Sequence, residues 1–244
     1  CDGLTFRAPD GLKNPLLIPA EANSHFSDPD IVYIDGKYLL YFRQTLHQKE
    51  GSIDRYLRME SADLLHWSAP VLIKEGTHLK LVCPSVLYKD GYFHLYNVHV
   101  DATSGTSKLE RCVSSNGFFD GNETVEIHHA PEGKMLWHID IVDSGEGILN
   151  GLFTYSYGMQ VIGSTLHYAQ SDDGGLTWSV LGKVNIAPES FFKMIYRATM
   201  VQKSDKQWNI YYSACSKKDD WHTCIIENFE PEKHLTDRLI EYPV

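Results

Sequence analysis

One pattern constrains this chain more than any other: a strand–turn–strand unit that recurs along it. Ser27-Asp28-Pro29-Asp30-Ile31-Val32-Tyr33 leads through the turn Asp35-Gly36-Lys37 into Tyr38-Leu39-Leu40-Tyr41-Phe42. Val82-Cys83-Pro84-Ser85-Val86-Leu87-Tyr88 leads through Lys89-Asp90-Gly91 into Tyr92-Phe93-His94-Leu95-Tyr96. Asp-Gly between two apolar runs is a hairpin signal, because the tight turn needs the positive φ that glycine supplies. A third unit begins at Trp137-His138-Ile139-Asp140-Ile141-Val142. A fourth begins at Tyr196-Arg197-Ala198-Thr199-Met200-Val201 and continues into Trp208-Asn209-Ile210-Tyr211-Tyr212. Successive units start 55 to 59 residues apart.

The first three units also close alike, at Ser61-Ala62-Asp63, Ser114-Ser115-Asn116-Gly117 and Ser171-Asp172-Asp173-Gly174-Gly175-Leu176-Thr177-Trp178. Asp, Asn and Gly suit turns leading into an outer strand. A four-stranded sheet cannot bury its faces alone, but stacked sheets can. The expected fold is therefore all-β, a five-bladed β-propeller forming a single domain over residues 1–244. Its blades are expected over 25–75, 80–130, 135–185 and 190–235. Cys1-Asp2-Gly3-Leu4-Thr5-Phe6 reads as the closing turn and outer strand of one more blade. Residues 1–20 are then the remnant of a first blade incomplete at the N-terminus, with an upstream segment completing it; the alternative is an irregular arm. The first strand of each blade lines the channel, which directs Asp28, Ser85, Asp140 and Arg197 toward one funnel.

The pattern resembles the five-bladed propellers of glycoside hydrolase families 43 and 32. Asp28-Pro29 resembles the Asp-Pro motif that opens a blade in these enzymes, and Val82-Cys83-Pro84-Ser85 resembles the family 32 motif Glu-Cys-Pro-Asp. Trp137-His138-Ile139-Asp140 and Tyr196-Arg197 are similar to motifs of related propellers in bacteria and phage tails. The Ser171–Trp178 turn resembles the Asp box of sialidase-type propellers, a structural motif. Glycosidic cleavage needs two carboxyl groups flanking the bond. The resemblance implies Asp28 and Asp140 as catalytic acids, but Val82 and Ser85 stand where the second blade should carry Glu and Asp. Glu189, in the loop before Tyr196, is a further catalytic candidate by position, and Glu75 a weaker one.

Candidate sugar contacts are His25 and Phe26 in the loop before Asp28, Ser85, His138 and Tyr196, with Arg197 as a bidentate clamp. Arg43, after the second strand, is expected to be solvated or to lie between blades. Two function classes stay open. One is a glycan-binding propeller, as in a phage tail or cell-surface recognition domain. The other is an active glycosidase using Asp28, Asp140 and Glu189. A structural scaffold is compatible as well. The implied setting is extracellular, on a cell surface or on a virion.

The resemblance implies an oligosaccharide or polysaccharide as partner, and composition argues against other partners. The net charge is −10, from 22 Lys+Arg against 32 Asp+Glu, and no basic block occurs, which argues against nucleic acid. No apolar run is long enough for a membrane-spanning helix. Aromatic residues make up 12% of the chain, a supply of stacking surfaces. The five cysteines lack CxxC spacing and are expected to be free thiols. His128-His129 has no supporting carboxylate spacing, so neither a metal nor another cofactor is expected.

Overall fold

The structure, a computed structural model, describes residues 3–159, 161–186, 191–204 and 206–237. The chain divides into two compact units. One comprises Cys1–Asn97 and Cys112–Asn122; the other comprises Val98–Arg111 and Glu123–Val244.

In the first unit β1 (Ser24–Ile34), β2 (Lys37–Leu46), β3 (Ile53–Ser61) and β4 (Val71–Thr77) form an antiparallel meander in chain order. The β1–β2 hairpin closes at Ile34↔Lys37, with Asp35 at φ 49° and Gly36 at φ 79°. Positive φ at both central residues matches the right-handed strand twist, and Asp and Gly tolerate it. Asp90 and Gly91 repeat this geometry between β5 (Val82–Lys89) and β6 (Tyr92–Asp101). The next strands in order are β7 (Thr106–Ser114), which passes from the second unit to the first at Cys112, and β8 (Glu123–His128), which belongs to the second unit. Leu39, Tyr41, Tyr56, Leu81, Val86, Phe93 and Leu95 pack into the core of the first unit.

In the second unit β9 (Met135–Asp143), β10 (Leu149–Ser156), β11 (Thr165–Ser171) and β12 (Thr177–Val184) form the third meander. Every residue of β10 is buried. Gly151 sits where a Cβ would meet the Phe153 ring at 2.7 Å and the Trp178 ring at 2.9 Å. The fourth meander is β13 (Phe192–Ser204), β14 (Gln207–Ser216) and β15 (Trp221–Phe229). After the single helical turn α1 (Pro231–His234), β16 (Leu235–Thr236) pairs with β12 rather than with β15. The fourth blade, expected to be complete, therefore has three strands among the described residues. β12 also pairs in parallel with β8. Leu152, Tyr168, Trp208, Ile210 and Phe229 anchor the core of this unit.

The closing turns share one construction. Asp63 accepts from the backbone amides of Leu65 and His66, Asn116 from Phe118, and Asp173 from Leu176 and Thr177. Ser61, Ser114 and Ser171 each brace the same turn through the hydroxyl. These local bonds hold Asp63 and Asp173 below the usual carboxylate range.

The expected outer strand over residues 1–6 is not formed at residues 3–6, which run as a bend and coil, and among the described residues no strand precedes Ser24. Leu4 and Phe6 are exposed, and Pro9 and Gly11 interrupt the stretch further.

Candidate functional site

The inner strands are irregular at the end where each begins. β1 slips register against β2 between Ser27 and Asp30, β9 slips against β10 around Trp137, and β13 slips against β14 between Ile195 and Ala198. A bulge re-aims side chains and ends regular pairing, and it is common beside binding sites. Proline contributes, since Pro29 and Pro84 cannot donate to a ladder. The residue before each lies in the left-handed region, Asp28 at φ 52° and Cys83 at φ 57°.

In the second unit the bulge of β13 carries Tyr196 and Arg197. The Tyr196 ring lies 4.2 Å from that of the buried His138 on β9. Trp221, at the start of β15, meets Tyr196 edge-on at 5.8 Å and is 56% exposed. Trp137 stands against His138 from the other side. Asp140 is 4% exposed, and its Oδ2 accepts from the Met200 backbone amide at 3.1 Å. Burial raises its carboxyl above the usual range, while the Arg197 charge, the Met200 amide and the Thr199 hydroxyl pull it back down.

The Asp140 bond has a counterpart in the first unit, where Asp30 Oδ2 accepts from the Val86 amide at 2.6 Å. In both cases an inner-strand aspartate holds the inner strand of the next blade. The repeat therefore matches Asp140 with Asp30, and Asp28 with His138 and Arg197. Asp28 and Asp140, both candidate acids in the sequence, therefore sit two strand positions apart in the repeat.

In the first unit Asp28 is buried and pairs with Arg43, Nε to Oδ2 3.1 Å. Ser27 donates to the same carboxylate oxygen and receives from Arg43 Nε. Arg43 is thus neither solvated nor incidental, because the Asp28 bulge turns that carboxylate onto β2. His25 is exposed and stacks on His47 at 5.4 Å; its pKa is lowered by desolvation and then by the Arg43 charge. His47 meets His78 at 6.4 Å, and His78 pairs with the fully buried Asp54. Asp54 also accepts from Thr45 Oγ1 and the Leu79 amide. Phe26 packs edge-on against Phe42, which makes it part of the apolar wall, and Ser85 is fully buried.

Of the residues singled out in the sequence, the structure groups His138, Asp140, Tyr196 and Arg197 in the second unit, and His25, Phe26, Asp28 and Ser85 fall in the first. Glu189 lies outside the described residues. Trp221, Asp54, His47 and His78 were not anticipated. Trp221 follows the turn Lys217-Lys218-Asp219-Asp220, so an aromatic opening a strand at the site end was its one available signal. Among the described residues no group of three or more His, Cys, Asp or Glu is arranged to hold a metal ion. His128 is exposed and lies near Glu126 at 3.7 Å.

No protein-family signature matches the sequence, and no curated protein is significantly similar to it. Solved structures are. An N-acetylgalactosamine deacetylase from F. plautii, in complex with blood group B trisaccharide, aligns with TM-score 0.75 at 17% identity, over 96% of this chain and 76% of that one. The Bombyx mori GH32 beta-fructofuranosidase BmSUC1 aligns with TM-score 0.65 at 13% identity, over 88% of this chain and 49% of the other, about half its length. A GH43 endo-arabinanase from Bacillus licheniformis aligns with TM-score 0.55 at 14% identity, over 82% and 72% of the two chains. The fold is that of the five-bladed glycoside hydrolase propellers of families 43 and 32.

Proposed function

We propose that the protein recognises a glycan at the bulged end of β9 and β13, with Trp221 and Tyr196 as the stacking platform and Arg197 as the polar clamp. The observation that carries this is Trp221, a large ring half open to solvent and braced edge-on by Tyr196, which is itself backed by His138. An exposed, rigidly supported aromatic beside a cation presents an apolar plane and a hydrogen-bond donor together, as the two sides of a sugar ring require. Two structures of this fold hold a saccharide, the deacetylase with its trisaccharide and a D63A fructofuranosidase with sucrose.

Recognition without turnover is favoured. Asp140, the one acid of this cluster among the described residues, is buried and spends an oxygen on Met200 N, the work of a strap rather than of a nucleophile. A glycosidase reading has one specific support: the Asp28 carboxylate is fixed by both Arg43 and Ser27, as a charged catalytic group would be. The proposed setting is outside the cell, on a cell surface or a virion.

The deciding experiment combines glycan-array binding with reducing-sugar and acetate-release assays. Wild type should bind a defined set of glycans, and Trp221→Ala and Arg197→Ala should each weaken that binding by about tenfold or more. No product should appear. Turnover abolished by Asp28→Asn would replace recognition with catalysis, and array binding untouched by both site variants would remove this end as the site.

A further inference from the structure

The second unit has a separate open cleft of about 520 Å³, bounded by the β6–β7 turn, by β8, and by the facing ends of β9 and β10. Its volume falls within the range of small-molecule sites. The wall is half apolar: Leu109, Val125 and Leu136 are among its apolar residues, and Ser107 and Tyr155 among its polar ones. Among the described residues, the only charged ones lining it are Lys108 and Lys134. On a chain of net charge −10, a cleft lined by two lysines and no carboxylate runs against the composition of the surface.

The two lysines differ. Lys108 Nζ is neutralised by Glu110 at 2.8 Å, which His99 also holds. Lys134 Nζ donates to the neutral Thr165 Oγ1 at 2.9 Å and lies 4.6 Å above the Tyr157 ring, with no carboxylate partner among the described residues. Its ammonium is held in place without its charge being cancelled, so little side-chain freedom remains to be lost on binding. Behind it, Tyr155 is 2% exposed and its hydroxyl has no hydrogen-bond partner. Buried polar groups are nearly always satisfied, and an orphan in the wall of a cleft indicates a group that arrives from outside.

We propose that this cleft binds an acidic sugar residue of the hexuronate class. The carboxylate meets Lys134, the apolar ring face lies on Leu109, Val125 and Leu136, and a ring hydroxyl reaches Tyr155. An anion of higher charge has less to gain here, because a single uncancelled cation faces one half-apolar wall. The site does not depend on the Trp221 platform, and the two readings fail separately.

The test is calorimetric titration of the full chain with D-glucuronate and tri-galacturonate, against galactose and inorganic phosphate as controls. The acidic sugars should bind, and raising the salt to about 0.5 M should weaken them. Lys134→Met should reduce affinity about tenfold, and Tyr155→Phe by a smaller factor. Trp221→Ala should leave this affinity unchanged, whatever it does to the array. Galactose binding as tightly as glucuronate, or phosphate tighter than either, would overturn the proposal. So would binding that Lys134→Met does not alter in a protein whose thermal unfolding matches wild type.

Discussion

Two buried ionisable side chains of the second unit respond to pH in opposite senses, and each sense follows from which form burial disfavours. His167 is lowered from 6.5 to about 3, first by desolvation and then by the charges of Lys134 and Lys183. Thr165, which receives a hydrogen from Lys134, also shares a 2.9 Å hydrogen bond with His167 Nε2, one that the neutral ring can make. The unfolded chain binds the proton more readily, so stability from this site is complete above about 6.5 and drains as pH falls toward 3, on the order of 5 kcal/mol in all. His167→Gln should flatten the dependence of melting temperature on pH between 6.5 and 4; an unchanged slope would refute the assignment. Asp140 is raised, so the folded chain holds its proton more tightly, and stability falls as pH climbs from the ordinary aspartate value of about 4. Asp140→Asn keeps an acceptor for Met200 N and should remove that decline, whereas Asp140→Ala, which leaves the amide unmet, should cost about 1–3 kcal/mol in denaturant titration. Neither group's protonation was legible in the sequence. His138 and Asp140 were visible there as polar residues in an apolar strand, but the partner of Asp140 belongs to a strand 60 residues away.

At the scale of the strand, the hairpins could be read directly, because Asp35-Gly36 and Asp90-Gly91 encode their turns locally. The closing turns were legible for the same reason: the serine and the acid that brace them lie within a few residues. The bulges were not, although Pro29 marks the one in β1. A bulge is defined by pairing against another strand, and β13 carries no proline at its own. The fourth meander ended differently from expectation because β16 is a two-residue strand that finds β12 through the chain's return, a non-local choice. Gly151 illustrates packing that composition conceals. It lies within the fully buried β10, where even a methyl group would press on the Phe153 and Trp178 rings. Gly151→Ala should destabilise by about 1–3 kcal/mol through overpacking. Pairing it with Trp178→Phe should recover part of that loss; simple additivity of the two would argue against the clash.

Across the molecule, the four described cysteines are free, with Cys83, Cys112 and Cys215 buried and Cys224 half-buried. They lie in both units, so they report on unfolding throughout. In native buffer Cys83, Cys112 and Cys215 should resist a thiol-specific chromogenic reagent and react together once denaturant passes the midpoint. Cys224 should also be sluggish, since burial pushes its thiol up. Rapid modification of the three buried thiols in the folded protein would contradict the packing described. The repeated architecture itself was legible because its period is carried by whole hairpins, whereas the task of each residue within the period was not. The inner strands show it. Asp30 and Asp140 each hook the next inner strand, Ser85 and Thr199 hold the same register in the other two copies, and the position two residues earlier is Asp28, Cys83, His138 or Arg197. The hook and the side chain two residues before it share a strand but not a task, so the earlier side chain can be exchanged while the strap that ties β1 to β5 or β9 to β13 stays in place.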